Sequence, residues 1–180
     1  GQTTPIDEVA HDARIEVLRG PLATDLRRLT STLVTVCEAN RRYRDYARRE
    51  LRQALEAIVA CFPVYRTYVR PDAVSDADRD VISSAMTAVR SRHEDVDVDL
   101  LEFIRSILVL DTRGDAETEL ALRFQQLSSA VMAKGVEDTA FYRWNRMVAL
   151  NEVGGDPSRF GVGAAEFHAA QAARQAGSPA

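Results

Sequence analysis

The sequence predicts an all-α fold of about seven or eight helices with one short extended segment. Apolar residues recur every three or four positions through most of the 180 residues, which is the spacing of one buried helix face. Glycine and proline fall mainly between these periodic stretches, as they do at helix ends. Strand-like and helix-like stretches do not alternate along the chain, so a parallel β-sheet is not expected.

Four helices are expected in the first half of the chain. The first follows the cap-like sequence Thr4–Asp7 and stops at Gly20 and Pro21. Pro63 ends the third helix, and a variant of the capping box beginning at Ser75 opens the fourth. The second, third and fourth helices are predicted over residues 22–40, 43–62 and about 76–92.

The third predicted helix has an arginine-rich side. Arg48, Arg49, Arg52 and Glu56 fall on the face opposite its apolar stripe. We interpret this face as a solvated surface with ion pairs four residues apart.

An extended segment and four further helices are expected in the second half. Residues 63–69 are rich in β-branched and aromatic side chains and lie between Pro63 and Pro71, which favours extended backbone. Gly135 is interpreted as a break between two helices. The predicted helices cover residues 100–110, 116–134, 136–150 and 164–175.

Charge and apolar content argue against nucleic-acid and membrane partners. The net charge of −4 comes from interleaved acids and bases, without the basic excess of a nucleic-acid binder. No apolar run approaches the roughly 18–20 residues of a membrane span. The first residues lack the basic and apolar stretches of a secretory leader. Cys37 and Cys61 lie in separate helices, so we expect two reduced thiols in a cytoplasmic protein.

No metal site or cofactor is expected. The three histidines, His11, His93 and His168, are far apart in sequence, with no cysteine nearby and no second histidine one helical turn away. Asp95–Asp99 resembles the first half of a calcium loop, but the required glycine and terminal glutamate are missing.

Polar and aromatic residues are concentrated in one stretch, Lys134–Arg146. On a helix starting at Val136, its side chains would separate into two faces. The apolar face comprises Ala140, Phe141, Trp144, Met147 and Val148, and the polar face comprises Asp138, Tyr142 and Asn145.

Two interpretations of this stretch remain open. The local pattern favours an acidic helix cap, with Glu137 and Asp138 in structural ion pairs. The alternative is carbohydrate binding, because carboxylates, amides and aromatic rings suit sugar hydroxyls and sugar faces. Glu137 and Asp138 are not expected to be a glycosidase pair, because adjacent helical residues do not face each other across a cleft.

Four runs, in this order, resemble the maltooligosyl trehalose synthase family: Phe62–Val69, Phe124–Leu127, Val131–Arg143 and Leu150–Pro157. The resemblance implies a member of the α-amylase superfamily, built on a (β/α)₈ barrel. It also implies a retaining intramolecular transglycosylation that converts the reducing-end α-1,4 link of a maltooligosaccharide into an α,α-1,1 link.

This chain lacks the strands of a barrel and the family's catalytic motifs. We therefore expect residues 1–180 to be a single helical subdomain of a larger enzyme, inactive alone and without a catalytic residue. Its signature segments are 62–69, 124–143 and 150–157.

The resemblance implies a set of residues that contact a maltooligosaccharide or orient groups that do. A competing hypothesis is a helical protein-interaction module without sugar chemistry. An exposed surface that would face the missing barrel could also support a dimer. The implied substrate-binding residues are Lys134, Glu137, Asp138, Tyr142, Arg143, Asn151 and Glu152.

Overall fold

The computed structural model describes residues 4–144, 151–155, 161 and 163–177, and within them the fold is all-α, as predicted. The only strand-like pairing in these ranges is an isolated bridge between Arg70 and Ala73. The helices are α1 (Ile6–Arg19), α2 (Ala23–Glu38), α3 (Arg48–Ala60), α4 (Asp76–Arg92), α5 (Val98–Leu108), α6 (Asp115–Val131), a π-helical segment (Met132–Ala140), α7 (Phe141–Arg143) and α8 (Ala164–Gly177).

The main core is built mainly from large apolar side chains of α2 to α6, together with Val17 and Leu18 near the end of α1. Leu33 of α2, Ile58 of α3 and Ile104 of α5 are fully buried in it. Phe62 and Phe124 meet edge to face, with ring centroids 5.1 Å apart. This core fixes the position of the extended segment at 63–69, whose Val69 is also buried.

The capping box predicted at Ser75 is confirmed, whereas the N-cap of α1 is Pro5, without a side-chain cap hydrogen bond, and not Thr4 as predicted. Ser75 Oγ accepts a hydrogen bond from the Asp78 backbone N–H at 3.1 Å, and the Asp78 carboxylate accepts one from the Ser75 N–H. At α5, Asp97 Oδ1 accepts a hydrogen bond from the Leu100 N–H at 2.9 Å. Both caps satisfy N–H groups that the first helical turn leaves free.

The third helix starts later than predicted, at Arg48 instead of residue 43. Tyr43 lies in a turn before the helix, where its ring stacks on Phe103 with centroids 3.8 Å apart. Glu56 is also not on the solvated face of α3. It is buried, and its carboxylate accepts hydrogen bonds of 3.0 Å and 2.6 Å from Arg19 of α1.

The prediction that Gly135 breaks the helix is wrong. The chain continues from α6 through a π-helical segment into α7 without a break. Gly135 is buried against α1, and a Cβ at this position would lie 3.0 Å from Arg14 Cα. The glycine therefore permits close contact between two helical elements rather than ending one of them.

The helix predicted to reach residue 150 ends at Arg143. Trp144 has extended backbone, with φ −100° and ψ 101°. Its ring and Phe141 pack on Ile6 of α1, so the first three members of the predicted apolar stripe are buried. Met147 and Val148 lie outside the described residues, as does Asn145 of the predicted polar face.

The last predicted helix, α8, is confirmed and ends two residues later than expected. Its described side chains are all exposed. Among the helices in the described part of the chain, none is long and apolar enough to cross a membrane.

Candidate functional site

A cleft of about 570 Å³ lies between α1, the end of α3, the extended segment and the π-helical segment. Its walls carry both polar and apolar side chains, which is usual for a ligand site. The residues that line it include His11, Arg14, Cys61, Tyr65, Arg92, Met132, Glu137 and Gly154.

The carboxylate of Glu137 joins the signature segments at the edge of this cleft. The Tyr65 hydroxyl donates a hydrogen bond to Glu137 Oε1. The Gly154 backbone N–H donates another to the same oxygen at 3.1 Å. Gly154 has φ +76°, a conformation that glycine adopts without strain. One carboxylate therefore connects residues that are 72 and 17 positions away in sequence.

Tyr65 is half-exposed, and two effects raise the pKa of its hydroxyl. Partial burial disfavours the phenolate, and the hydrogen bond to Glu137 further favours the protonated form. The hydroxyl therefore remains a hydrogen-bond donor to Glu137 near neutral pH.

Further side-chain to backbone hydrogen bonds hold the extended segment on α6. Ser128 Oγ donates to the Tyr65 carbonyl at 2.9 Å, and Gln125 Nε2 donates to the Val69 carbonyl at 3.0 Å. Gln125 and Ser128 are both buried. Their side chains keep the strand-like segment beside a helix without a β-sheet partner.

Asn151 binds the backbone at the end of α7. Its Nδ2 donates to the carbonyls of Phe141 at 2.7 Å and of Trp144 at 2.6 Å. These bonds satisfy backbone groups where the helix ends. The Asn151 side chain therefore fixes local backbone, whereas the exposed Glu152 contributes its carbonyl to a turn closed by the Gly155 N–H at 2.7 Å.

Lys134, Asp138 and Tyr142 do not line the cleft, and their side chains are exposed. The ammonium of Lys134 and the carboxylate of Asp138 are 3.7 Å apart, and both side chains are more than half exposed. Tyr142 is 84 % exposed. These three groups are available to a ligand, because an exposed ion pair of this kind is weak and easily exchanged.

Arg143 forms its ion pair with a residue of α1, and not with the acidic residues near it in sequence. Its guanidinium donates two hydrogen bonds, of 2.5 Å and 2.9 Å, to the carboxylate of Glu16. This bidentate contact lowers the pKa of Glu16 and raises that of Arg143. The contact holds the end of α7 against α1.

Arg14 forms the floor of the cleft, and sequence reasoning missed it. Its guanidinium donates to the carbonyls of Ala60 at 2.9 Å and Phe62 at 3.2 Å, where α3 ends. A third hydrogen bond reaches Met132 Sδ at 3.4 Å. Nothing in the local pattern of α1 distinguishes Arg14 from a surface arginine.

The argument that the histidines are too far apart to meet is wrong for two of them. His11 Nε2 and His93 Nε2 are 3.1 Å apart, although 82 positions separate these residues. Cys61 completes a group whose three ligand atoms all lie within 4.8 Å of one another. Burial lowers the pKa of His11 and raises that of Cys61. Folding creates this cluster at the cleft wall.

No known family profile matches the sequence. Over 56 residues, it is 66 % identical to putative maltooligosyl trehalose synthases of two Mycobacterium tuberculosis strains, CDC 1551 / Oshkosh and H37Rv. That match covers 31 % of this chain and 7 % of each relative. A solved structure, that of a point mutant of maltooligosyltrehalose synthase from Arthrobacter ramosus, matches with a TM-score of 0.70 and 36 % identity.

The structural match covers 94 % of this chain but 19 % of the matched protein. The fold is therefore that of an all-helical unit that corresponds to one region of a much larger enzyme. That enzyme is maltooligosyl trehalose synthase, and the resemblance recognised in the sequence is confirmed.

Proposed function

We propose that this chain is a helical insert of a maltooligosyl trehalose synthase and forms one wall of its glucan-binding cleft. The carrying observation is the junction at Glu137, where three signature segments meet through Tyr65 and Gly154. A set of hydrogen bonds that connects distant segments costs conformational entropy, and positioning of a ligand site is one use of such rigidity.

The predicted site residues divide into two groups. Lys134, Asp138 and Tyr142 have exposed side chains, which would contact sugar hydroxyls and a sugar face directly. The remaining members would act by positioning or through backbone, since their side chains are engaged within the protein or lie on the turn. They are Glu137, Arg143, Asn151 and Glu152.

The reaction proposed for the complete enzyme is the retaining transglycosylation that converts a reducing-end α-1,4 link into an α,α-1,1 link. It needs a nucleophile and an acid/base carboxyl about 5–5.5 Å apart across the bond. Glu137 accepts two internal hydrogen bonds and Asp138 pairs with Lys134, so neither is proposed for those roles. The isolated chain is therefore proposed to be inactive, and to act in the cytoplasm only within the complete enzyme.

Substitution of Asp138 by alanine in the complete enzyme tests this proposal. We expect kcat/KM for maltopentaose to fall about ten- to a hundredfold, since a lost hydrogen bond to a charged group costs about 1.5–3 kcal/mol. The midpoint of urea unfolding should not change, because Asp138 is exposed. Unchanged activity, or loss of folding without a specific loss of activity, would favour the protein-interaction alternative.

A second measurement concerns the purified chain. It should form no maltooligosyl trehalose from maltopentaose, and detectable product would overturn the assignment of catalysis to the missing barrel.

The surface proposed to face the barrel is free in the isolated chain. The dimer predicted from that surface can be checked by sedimentation velocity.

A further inference from the structure

We propose that His11, Cys61 and His93 form a binding site for a borderline-soft divalent metal ion, with Zn²⁺ as the preferred species. The three side chains come from different elements. His11 lies in the middle of α1, Cys61 directly follows α3, and His93 directly follows α4. A bound ion would therefore connect three helices.

The nitrogen positions already suit a tetrahedral ion. Two imidazole nitrogens at about 2.0–2.1 Å from one Zn²⁺ lie about 3.3 Å apart at a tetrahedral angle. His11 Nε2 and His93 Nε2 are 3.1 Å apart, and their rings are tilted by 35°. A single point can therefore lie at bonding distance from both nitrogens.

The thiol of Cys61 is within reach of the same point. All ligand atoms of the group lie within 4.8 Å of one another. Nitrogen and sulfur ligands of one zinc ion are separated by about 3.6 Å, so a side-chain shift of about 1 Å suffices. Binding would release the thiol proton to solvent, and the thiolate would become the third ligand.

Asp12 provides the outer contact that zinc-bound histidines commonly have. Its carboxylate Oδ1 lies 3.5 Å from His11 Nδ1, the ring nitrogen that points away from His93. A carboxylate in this place favours the tautomer whose Nε2 carries a free lone pair. The fourth position opens toward the cleft, which His11 and Cys61 both line, and would be taken by water.

The ligand set also determines which ions are excluded. Two imidazoles and a thiolate suit zinc, cobalt, nickel and copper, whereas magnesium and calcium require oxygen ligands. Arg14 and Arg92 line the same cleft and oppose a cation, so the thiolate charge is needed to make binding favourable. The site is consequently expected to fail when Cys61 is replaced.

Cobalt titration of the full tag-free chain under reducing conditions tests the site directly. The expected result is one Co²⁺ per chain, with a thiolate charge-transfer band in the near ultraviolet and strong visible bands of tetrahedral cobalt. Zn²⁺ should displace the cobalt, and Mg²⁺ should not. A folded chain that shows no such bands at a twofold excess of Co²⁺ would overturn the proposal.

Matched variants locate the site. Cys61→Ser should abolish the charge-transfer band, and His11→Ala or His93→Ala should weaken binding at least tenfold. Cys37→Ser and His168→Ala are the controls, because Cys37 is buried in the main core and His168 lies on α8. Loss of binding in the controls but not in the cluster variants would place the metal elsewhere and overturn the assignment.

Thermal unfolding gives a second readout that separates a metal site from a simple histidine hydrogen bond. At a zinc concentration about 100-fold above Kd, the wild-type Tm should rise by about 5–10 °C. Cys61→Ser should show no rise. If zinc leaves the Tm of the wild type unchanged while His11→Ala lowers it, the pair is only a structural contact between α1 and α4.

Discussion

The main core and the contact between α1 and the π-helical segment are held together by different means. The main core consists of large side chains such as Leu33, Ile58 and Phe124. The contact between α1 and the π-helical segment uses the small residues Ala13 and Ala140, which bring the two backbones close together. Polar bonds at Glu137 and Arg143 then fix the segment in place. The first region supplies stability, and the second supplies a fixed arrangement of polar groups.

The largest expected effect comes from opening a cavity in the main core. Phe124 is buried against Phe62. Phe124→Ala should lower the free energy of unfolding by about 3–5 kcal/mol, because both apolar transfer energy and packing contacts are lost. Urea unfolding followed by circular dichroism measures this loss. A loss below about 1 kcal/mol would show that the helices do not pack as described.

The second-largest effect is expected at the close contact between α1 and the π-helical segment. Gly135→Ala places a methyl group 3.0 Å from Arg14 Cα and Cγ, so backbone must shift. We expect a loss of about 1–3 kcal/mol in the free energy of unfolding. Gly161→Ala is the control, since nothing lies within 4 Å of its added Cβ. Equal effects of the two substitutions would contradict the close-contact role.

A smaller effect is expected at the polar junction. Tyr65→Phe removes the hydrogen bond to Glu137 while keeping the ring. The free energy of unfolding should fall by about 0.5–1.5 kcal/mol, the usual net value of one hydrogen bond. Hydrogen exchange should quicken at the Gly154 amide and not in α2. Faster exchange throughout the core would mean that the junction is part of the same cooperative unit.

The smallest effect is a change in the pH dependence of stability, caused by the ion pair at the end of α7. Arg143 lowers the pKa of Glu16 below its ordinary value of 4.5. This contact stabilises the fold above that ordinary value, and its contribution is lost as the pH falls through the lowered pKa.

Arg143→Ala should therefore make acid unfolding less steep in this range than in the wild type. Arg174→Ala, on the exposed helix α8, is the control. Denaturant midpoints measured from pH 6 down to pH 3 compare the three proteins. Identical pH profiles of the wild type and Arg143→Ala would exclude a stabilising role for the contact.

Periodicity predicted the main core because burial of large apolar side chains follows helix geometry directly. The capping box at Ser75 was equally readable, since that cap is formed within four residues. The start of α3 was placed too early, because the Tyr43–Phe103 stacking depends on a helix far away in sequence.

The site was only partly predictable for the same reason. The resemblance identified Lys134, Asp138 and Tyr142, and the structure leaves all three side chains exposed. Gly135 and Arg14 could not be interpreted correctly from local sequence, since their roles depend on contact between α1 and the π-helical segment. The π-helical turn also changes the spacing that an α-helical pattern assumes.

The most direct test of the glucan-contact assignment is a titration of the purified chain with maltopentaose, followed by NMR amide signals. We predict shifts at Lys134, Asp138 and Tyr142, with unchanged signals in the main core and no response to cellopentaose. Shifts absent from these three residues in a folded chain, or equal shifts with both sugars, would contradict the claim that this segment itself contacts the glucan.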